Sequence, residues 1–103
     1  MPNEPKVRLS RLAAADLESI ANYTIERFGI KQARRYRDGL DHVFHTLAEE
    51  PLRGRSAAHL ANEMRRFEHE SHIIFYRTVD QGIFVVRILH ERMDVERHAM
   101  TLT

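Results

Sequence analysis

Apolar positions along the chain recur first at helical and then at strand spacing. Val7 to Leu9 alternate and predict a short strand, with Ser10 placed to cap the helix that follows. From Arg11 to Phe28, the residues Ala13, Leu17, Ile20, Ala21, Thr24 and Phe28 form one apolar helical stripe. Gly29 reads as the left-handed residue that ends this helix. A second helix is predicted from about Lys31 to Glu50, with the stripe Ala33, Tyr36, Leu40, Val43, Phe44 and Leu47. Gly39 inside it costs about 1 kcal/mol relative to alanine and points to the close approach of another element. Pro51 stops the helix. Only two or three residues join the helices, so they should form an antiparallel hairpin.

Pro51 to Asn62 read as a loop with a turn at Gly54. Three strand-like runs follow. Met64 to His69 is mixed and polar, and His72 to Val79 is rich in β-branched and aromatic residues. Asp80-Gln81-Gly82 is a hairpin turn. Ile83 to Leu89 is the most apolar run, the pattern of a central strand covered on both faces. Asp94 is placed to cap a short C-terminal helix through Met100. The order predicts a two-layer α+β fold: an N-terminal strand, an antiparallel helical hairpin on a small antiparallel sheet, and a short C-terminal helix. No repeat or linker divides the 103 residues, which read as one domain over 1–103. A chain of this length buries about 65% of its unfolded surface, enough for one modest core.

Strict alternation places Ile73, Phe75 and Val79 on one face, and Ile74, Tyr76 and Thr78 on the other. In the last strand it sets Ile83, Val85 and Leu89 against Phe84, Val86 and Ile88. Both faces of this hairpin are apolar, yet one helical pair covers one face. Either an apolar groove is left for a partner, or the N-terminal strand and the 52–63 loop cover it.

The chain is 43% hydrophobic and 30% charged, ordinary globular usage. The lack of cysteine excludes a disulfide framework, a thiolate zinc site and a cysteine nucleophile. The longest apolar runs fall far short of the roughly 20 residues of a membrane helix. Met1 to Lys6 shows no signal-peptide pattern, and a cytoplasmic protein is expected. The net charge of +1 does not mark a nucleic-acid binder. Of the 16 basic residues only Lys6 and Lys31 are lysines. Arginine forks suit carboxylate and phosphate contacts, although arginine-rich codon usage explains the bias equally well.

His42 and His45 share a helix face, but no third ligand follows from spacing, and no metal or cofactor is expected. Arg34, Arg35 and Arg37, with Asp38 and Asp41 nearby, read most simply as a salt-bridged surface. No glycine-rich phosphate loop or nucleophile elbow is present. His90, Arg92, Asp94, Arg97 and His98 crowd the chain after the last strand. Such a cluster can move protons and stabilise charge on a phosphodiester. Spacing favours a structural role instead, with Asp94 as a helix cap, Arg97 paired with Glu91 or Asp94, and His98 on the surface of that helix.

Four segments together resemble the ParE branch of the RelE/ParE superfamily of type II toxin–antitoxin toxins. They are LSRLAAADLESIANYTIERFG, AEEPLRGR, SHIIFYR and VRILHERMDVERHAM, and the likeness spans residues 6–100. The resemblance implies a toxin neutralised by a ParD-like antitoxin. The antitoxin's C-terminal segment would wrap the toxin, and its ribbon-helix-helix part would bind operator DNA. ParE-like members are associated with poisoning DNA gyrase, and RelE-like members with cutting mRNA on the ribosome. The RNA-cutting branch places lysines near Met64 and Arg66, an arginine at Ile73, an arginine after the last strand and a tyrosine near His98. Here only Arg66 and Arg92 keep such charge, which leaves a thin set for phosphodiester cleavage.

A toxin without an active site, acting on gyrase by contact, is therefore expected. The antitoxin contacts expected are Arg65, Arg66, Ile74, Tyr76, Arg77 and Arg87, and the target contacts Arg92, Met93, Asp94, Arg97 and His98. The alternative is a ribosome-dependent endoribonuclease using Arg66, His90, Arg92 and His98.

Overall fold

A computed structural model describes residues 5–102. Residues 1–4, part of the stretch read for a signal segment, lie outside the described residues. The elements are β1 (Lys6–Leu9), α1 (Arg11–Phe28), α2 (Ile30–Glu49), a 3₁₀ turn at Pro51–Arg53, β2 (Arg55–Ser56), β3 (Arg65–His69), β4 (His72–Val79), β5 (Gly82–His90) and a 3₁₀ helix at Val95–Leu102.

The hairpin forms as its pattern predicts. The Ser10 hydroxyl accepts the Ala13 N–H at 2.9 Å and caps α1. Its own hydrogen goes to the Val86 carbonyl at 2.6 Å, which fixes the helix start to β5. Gly29 alone joins the helices, at φ 92° and ψ 166°. Its φ is positive as expected, but its ψ is extended, a region essentially open only to glycine. Phe28 is exposed instead of ending the buried stripe of α1.

The five strands run in the order β1-β5-β4-β3-β2, with the two most apolar strands next to each other. β1 pairs with β5 in parallel, so the sheet is mixed rather than wholly antiparallel. A strand that enters a helical hairpin and then lies beside the last strand has no tight turn to reverse it. The short β2, read as loop in the sequence, forms the far edge on β3.

One helix-side core holds Ala13, Leu17, Leu40, Phe44, Leu47, Ile74, Tyr76, Ile83, Val85 and Ile88. A second core on the opposite face holds Ala57, Ala61, Met64, Ile73, Phe75, Val86, Leu89 and Leu102. The loop at 57–64 and the C-terminal 3₁₀ helix cover that second face, and β1 takes no part in it. Of the two readings of this face, cover by the chain itself holds, through the loop and the C-terminal segment rather than through β1. Register shifts between Phe75 and Tyr76, where Phe75 pairs with Arg87 but Tyr76 with Val85. Val86 is the extra residue of this β-bulge. Beyond it Ile88 turns to the helices and Leu89 away, opposite to strict alternation.

Glycine at two positions is set by close approach. A Cβ on Gly39 would lie 3.3 Å from His69 Nε2, the contact its place in the helix predicts. A Cβ on Gly54 would collide with the Tyr76 hydroxyl and lie 2.7 Å from the Arg66 carbonyl oxygen.

Candidate functional site

Three places concentrate the candidate residues. The first is the set of arginines on the sheet. Arg65 donates to the Gly54 carbonyl through Nε at 3.1 Å and Nη2 at 2.7 Å. Arg77 donates to the carbonyls of Asn62 and Leu102, at 3.2 and 2.9 Å. Arg87 forks onto Asp16, with Nε to Oδ2 and Nη2 to Oδ1 both at 2.8 Å, and its Nη1 reaches Thr101 Oγ1 at 2.7 Å. Asp16 Oδ2 also accepts the Ile88 N–H at 2.9 Å, an amide beyond the reach of β1, which ends opposite Val85. The two side chains are 11% and 14% exposed, so this pair is largely shielded from water. The hydrogen bonds that Asp16 accepts hold the Arg87 guanidinium still more firmly charged, against the opposing effect of burial.

These forks therefore hold the chain's own carbonyls and carboxylate. Ile74 and Tyr76 lie wholly inside the helix-side core and present no surface. Tyr76 donates to the Pro51 carbonyl at 2.6 Å and accepts the Gly54 N–H at 3.0 Å. Burial pushes its phenol above the ordinary value. Arg66 retains partial access. It sits 5.7 Å over the Phe75 ring and donates to Glu68 at 3.2 Å, while its buried Nε has no partner.

The second place is the C-terminal segment. Asp94 caps it, its Oδ1 accepting the Glu96 N–H and its carbonyl the Arg97 N–H, both at 3.1 Å. The helix is 3₁₀ rather than α, and Leu102 anchors it in the second core. Arg92, Met93, Asp94 and Arg97 are exposed and His98 is half-buried. Met93 is 46% and Met100 88% exposed.

The third place is a cleft of about 550 Å³ between the hairpin and the ends of β4 and β5. Ile20, Tyr23, Phe28 and Met93 give it apolar walls, and Tyr36, His72 and His90 a polar floor. The cross-strand pairs His69↔His72 and His72↔His90 set three imidazoles on one rung. The Tyr36 hydroxyl lies 2.6 Å from His72 Nδ1. The His72 and His90 rings meet edge to face at 5.3 Å between centroids. Burial, then Glu70, pushes the Tyr36 phenol up to about 12. Burial, then His90 and His69, pushes His72 down from the usual imidazole value. Sequence reasoning missed this cleft. Tyr23 falls outside the α1 stripe, and the rung depends on registers that no local pattern encodes.

Of the four residues of the nuclease alternative, His90 and Arg92 meet, the Arg92 N–H donating to His90 Nδ1 at 3.0 Å, while Arg66 stands apart from His90. Arg66 pairs with Phe75 on the face away from the helices, whereas His90 lines the cleft on the helix side. No hydrogen bond, ion pair or ring contact among the described residues joins Arg66 to His90, Arg92 or His98. On the surface of α2, Arg37 pairs with Asp41 at 3.2 Å, the salt bridge its spacing predicts. His45 Nδ1 donates to the Asp41 carbonyl at 2.8 Å. No three metal-ligating side chains converge among the described residues, and no described helix is long and apolar enough to cross a membrane.

A hairpin laid on one face of a mixed sheet, with a strap of loop and 3₁₀ helix on the other, defines a fold found in a solved structure. That structure is a chromosomal ParDE toxin–antitoxin system from P. aeruginosa, with a TM-score of 0.71 over 85% of this chain and 97% of that one, at 19% identity. The family model described as ParE toxin of the type II toxin–antitoxin system parDE matches residues 7–95. This chain belongs to the ParE toxin family. It is 41% identical over 91 residues to Toxin ParE1 of Mycobacterium tuberculosis, covering 87% of this chain and 93% of that one. It is 37% identical over 91 residues to Toxin ParE1 of Caulobacter vibrioides, covering 88% and 94%. Toxin ParE of Escherichia coli is 39% identical over 90 residues, covering 84% and 85%.

Proposed function

We propose that this chain arrests growth as the toxin of a ParDE module, by protein contact with DNA gyrase rather than by catalysis, in the cytoplasm. The observation that carries the contact mechanism is the exposure of Arg92, Met93, Asp94 and Arg97. The guanidinium groups of Arg92 and Arg97 make no hydrogen bond or ion pair among the described residues, while Met93 beside them is open. Arginine and methionine together are typical of interface anchors. The placement of Arg66 and His90 on opposite faces of the sheet supports the absence of a nuclease site.

A ParD-like antitoxin is the neutralising partner, and operator DNA is reached only through it. Its wrapping segment lays apolar side chains into the cleft against Tyr23 and Phe28 and crosses the sheet edge near Arg66. Arg65, Arg77 and Arg87, with Ile74 and Tyr76, support that surface from within. Two sets of variants separate the surfaces. Arg92→Glu with Arg97→Glu should abolish growth arrest while antitoxin affinity and melting temperature hold. Tyr23→Ala with Phe28→Ala should weaken antitoxin binding by about 2 kcal/mol or more, the scale of an aromatic anchor. Growth arrest by the double Glu variant would refute the target surface. Unchanged affinity in the double Ala variant would refute the cleft.

A further inference from the structure

The histidine rung has a feature that toxin function does not require. His90 Nδ1 accepts the backbone N–H of Arg92 at 3.0 Å. That bond puts the lone pair on Nδ1 and, in the neutral ring, the hydrogen on Nε2. An imidazolium carries hydrogen on both nitrogens. A protonated His90 would therefore aim a donor at the Arg92 donor, and the bond would be lost. The neighbouring contact behaves differently. With Nδ1 of His72 unprotonated, the Tyr36 phenol donates to it. If His72 gains a proton, its Nδ1–H can donate to the phenol oxygen, which turns its own hydrogen toward the His69 carbonyl, 3.4 Å away. Protonation thus inverts the His72 bond but breaks the His90 bond.

We propose that the rung His69–His72–His90 is a proton-operated switch, which holds the turn at Arg92 when its rings are neutral and releases that turn on acidification. The groups facing it come from every neighbouring element. Asp16 on α1 and Glu91 after β5 favour a charged His72, and His69 on β3 and His90 on β5 oppose it. Glu70, in the β3–β4 turn, stands 3.6 Å from His69 Nε2. Asp16 is already committed to Arg87 and the Ile88 amide. The like charges on three adjacent strands therefore share the rung with one engaged and two peripheral carboxylates. The freed turn begins the segment assigned above to target contact. The switch itself holds whatever that segment binds, so its test is independent of the gyrase reading.

The test is NMR on the ¹⁵N-labelled full chain between pH 8 and pH 5. It follows the His90 ring resonances and the hydrogen-exchange protection of the Arg92 amide. Protection should fall by roughly fivefold, the factor one modest hydrogen bond is worth, in step with the His90 ring. The Ile88 amide, held by Asp16, should keep its protection. In His90→Phe the Arg92 amide should be unprotected at every pH, with no step. Constant Arg92 protection in the native chain, or a step that persists in His90→Phe, would overturn the switch.

Discussion

Replacing Asp16 with alanine would remove the acceptor of three hydrogen bonds at once: two from the Arg87 fork and one from the Ile88 amide. Both side chains of the pair are more than four-fifths buried, so solvent screening offsets little of the loss. Breaking a buried pair by deleting one partner costs about 3–5 kcal/mol, because the remaining charge stays desolvated. Thr101 still accepts from Arg87 Nη1, which places the expected loss near the lower bound, about 3 kcal/mol. Small domains are stable by roughly 5–15 kcal/mol, so the variant should fold but with a large share of its margin gone. Urea unfolding followed by circular dichroism measures it. At a slope of about 1–1.5 kcal/mol/M the midpoint should drop by about 2–3 M. Asp16→Asn keeps an oxygen for the Ile88 amide and should lose about half as much. A double-mutant cycle with Arg87→Met should show coupling of about 1.5 kcal/mol or more. A loss under about 1 kcal/mol for Asp16→Ala, or simple additivity in the cycle, would refute the reasoning. The result also bears on function, since an Arg87 variant with weakened antitoxin binding has first to be shown to be folded.

Other expectations follow from single contacts. Tyr76→Phe strips the partner from the Pro51 carbonyl and the Gly54 amide and should cost about 1–3 kcal/mol in chemical denaturation. Gly54→Ala drives a methyl into the Tyr76 hydroxyl and should cost about 1–3 kcal/mol, read as a lower melting temperature with an unchanged circular dichroism spectrum below it. Ser10→Ala removes the cap of α1 and its tie to β5, a loss of about 1 kcal/mol by denaturant titration. The lowered His72 value fixes a sign for pH dependence. The unfolded chain takes up that proton first as pH falls, so this stability is complete above about pH 6.5 and is lost as pH drops through the folded value. His72→Gln should flatten the melting temperature against pH across that window, and an unchanged slope would count against His72 as its source.

The local signals in the sequence reached the helices and failed at the registers. Ser10, Gly29 and Pro51 punctuate the hairpin by side-chain and backbone chemistry that acts within a few residues, and a glycine at 39 in mid-helix marks a close neighbour, which is His69. The bulge at Val86 left no such mark. Val85, Val86, Ile88 and Leu89 are all apolar, and alternation among apolar residues carries no phase. The parallel pairing of β1 depends on contacts more than 70 residues apart in the chain. The arginines were readable as forks but not as forks already filled. Arg65, Arg77 and Arg87 turn to carbonyls and a carboxylate that only the fold brings near. For the same reason the sequence left open whether the second face was covered, because Leu102 and the 57–64 loop reach it only through tertiary folding.

The most direct test of the central claim is gyrase supercoiling and DNA cleavage with the purified chain, alone and with its antitoxin. The account predicts inhibition or trapped cleaved DNA that the antitoxin reverses and that Arg92→Glu with Arg97→Glu abolishes. A folded chain that still arrests growth yet leaves gyrase untouched would contradict it, and mRNA cleavage on the ribosome would be the next assay.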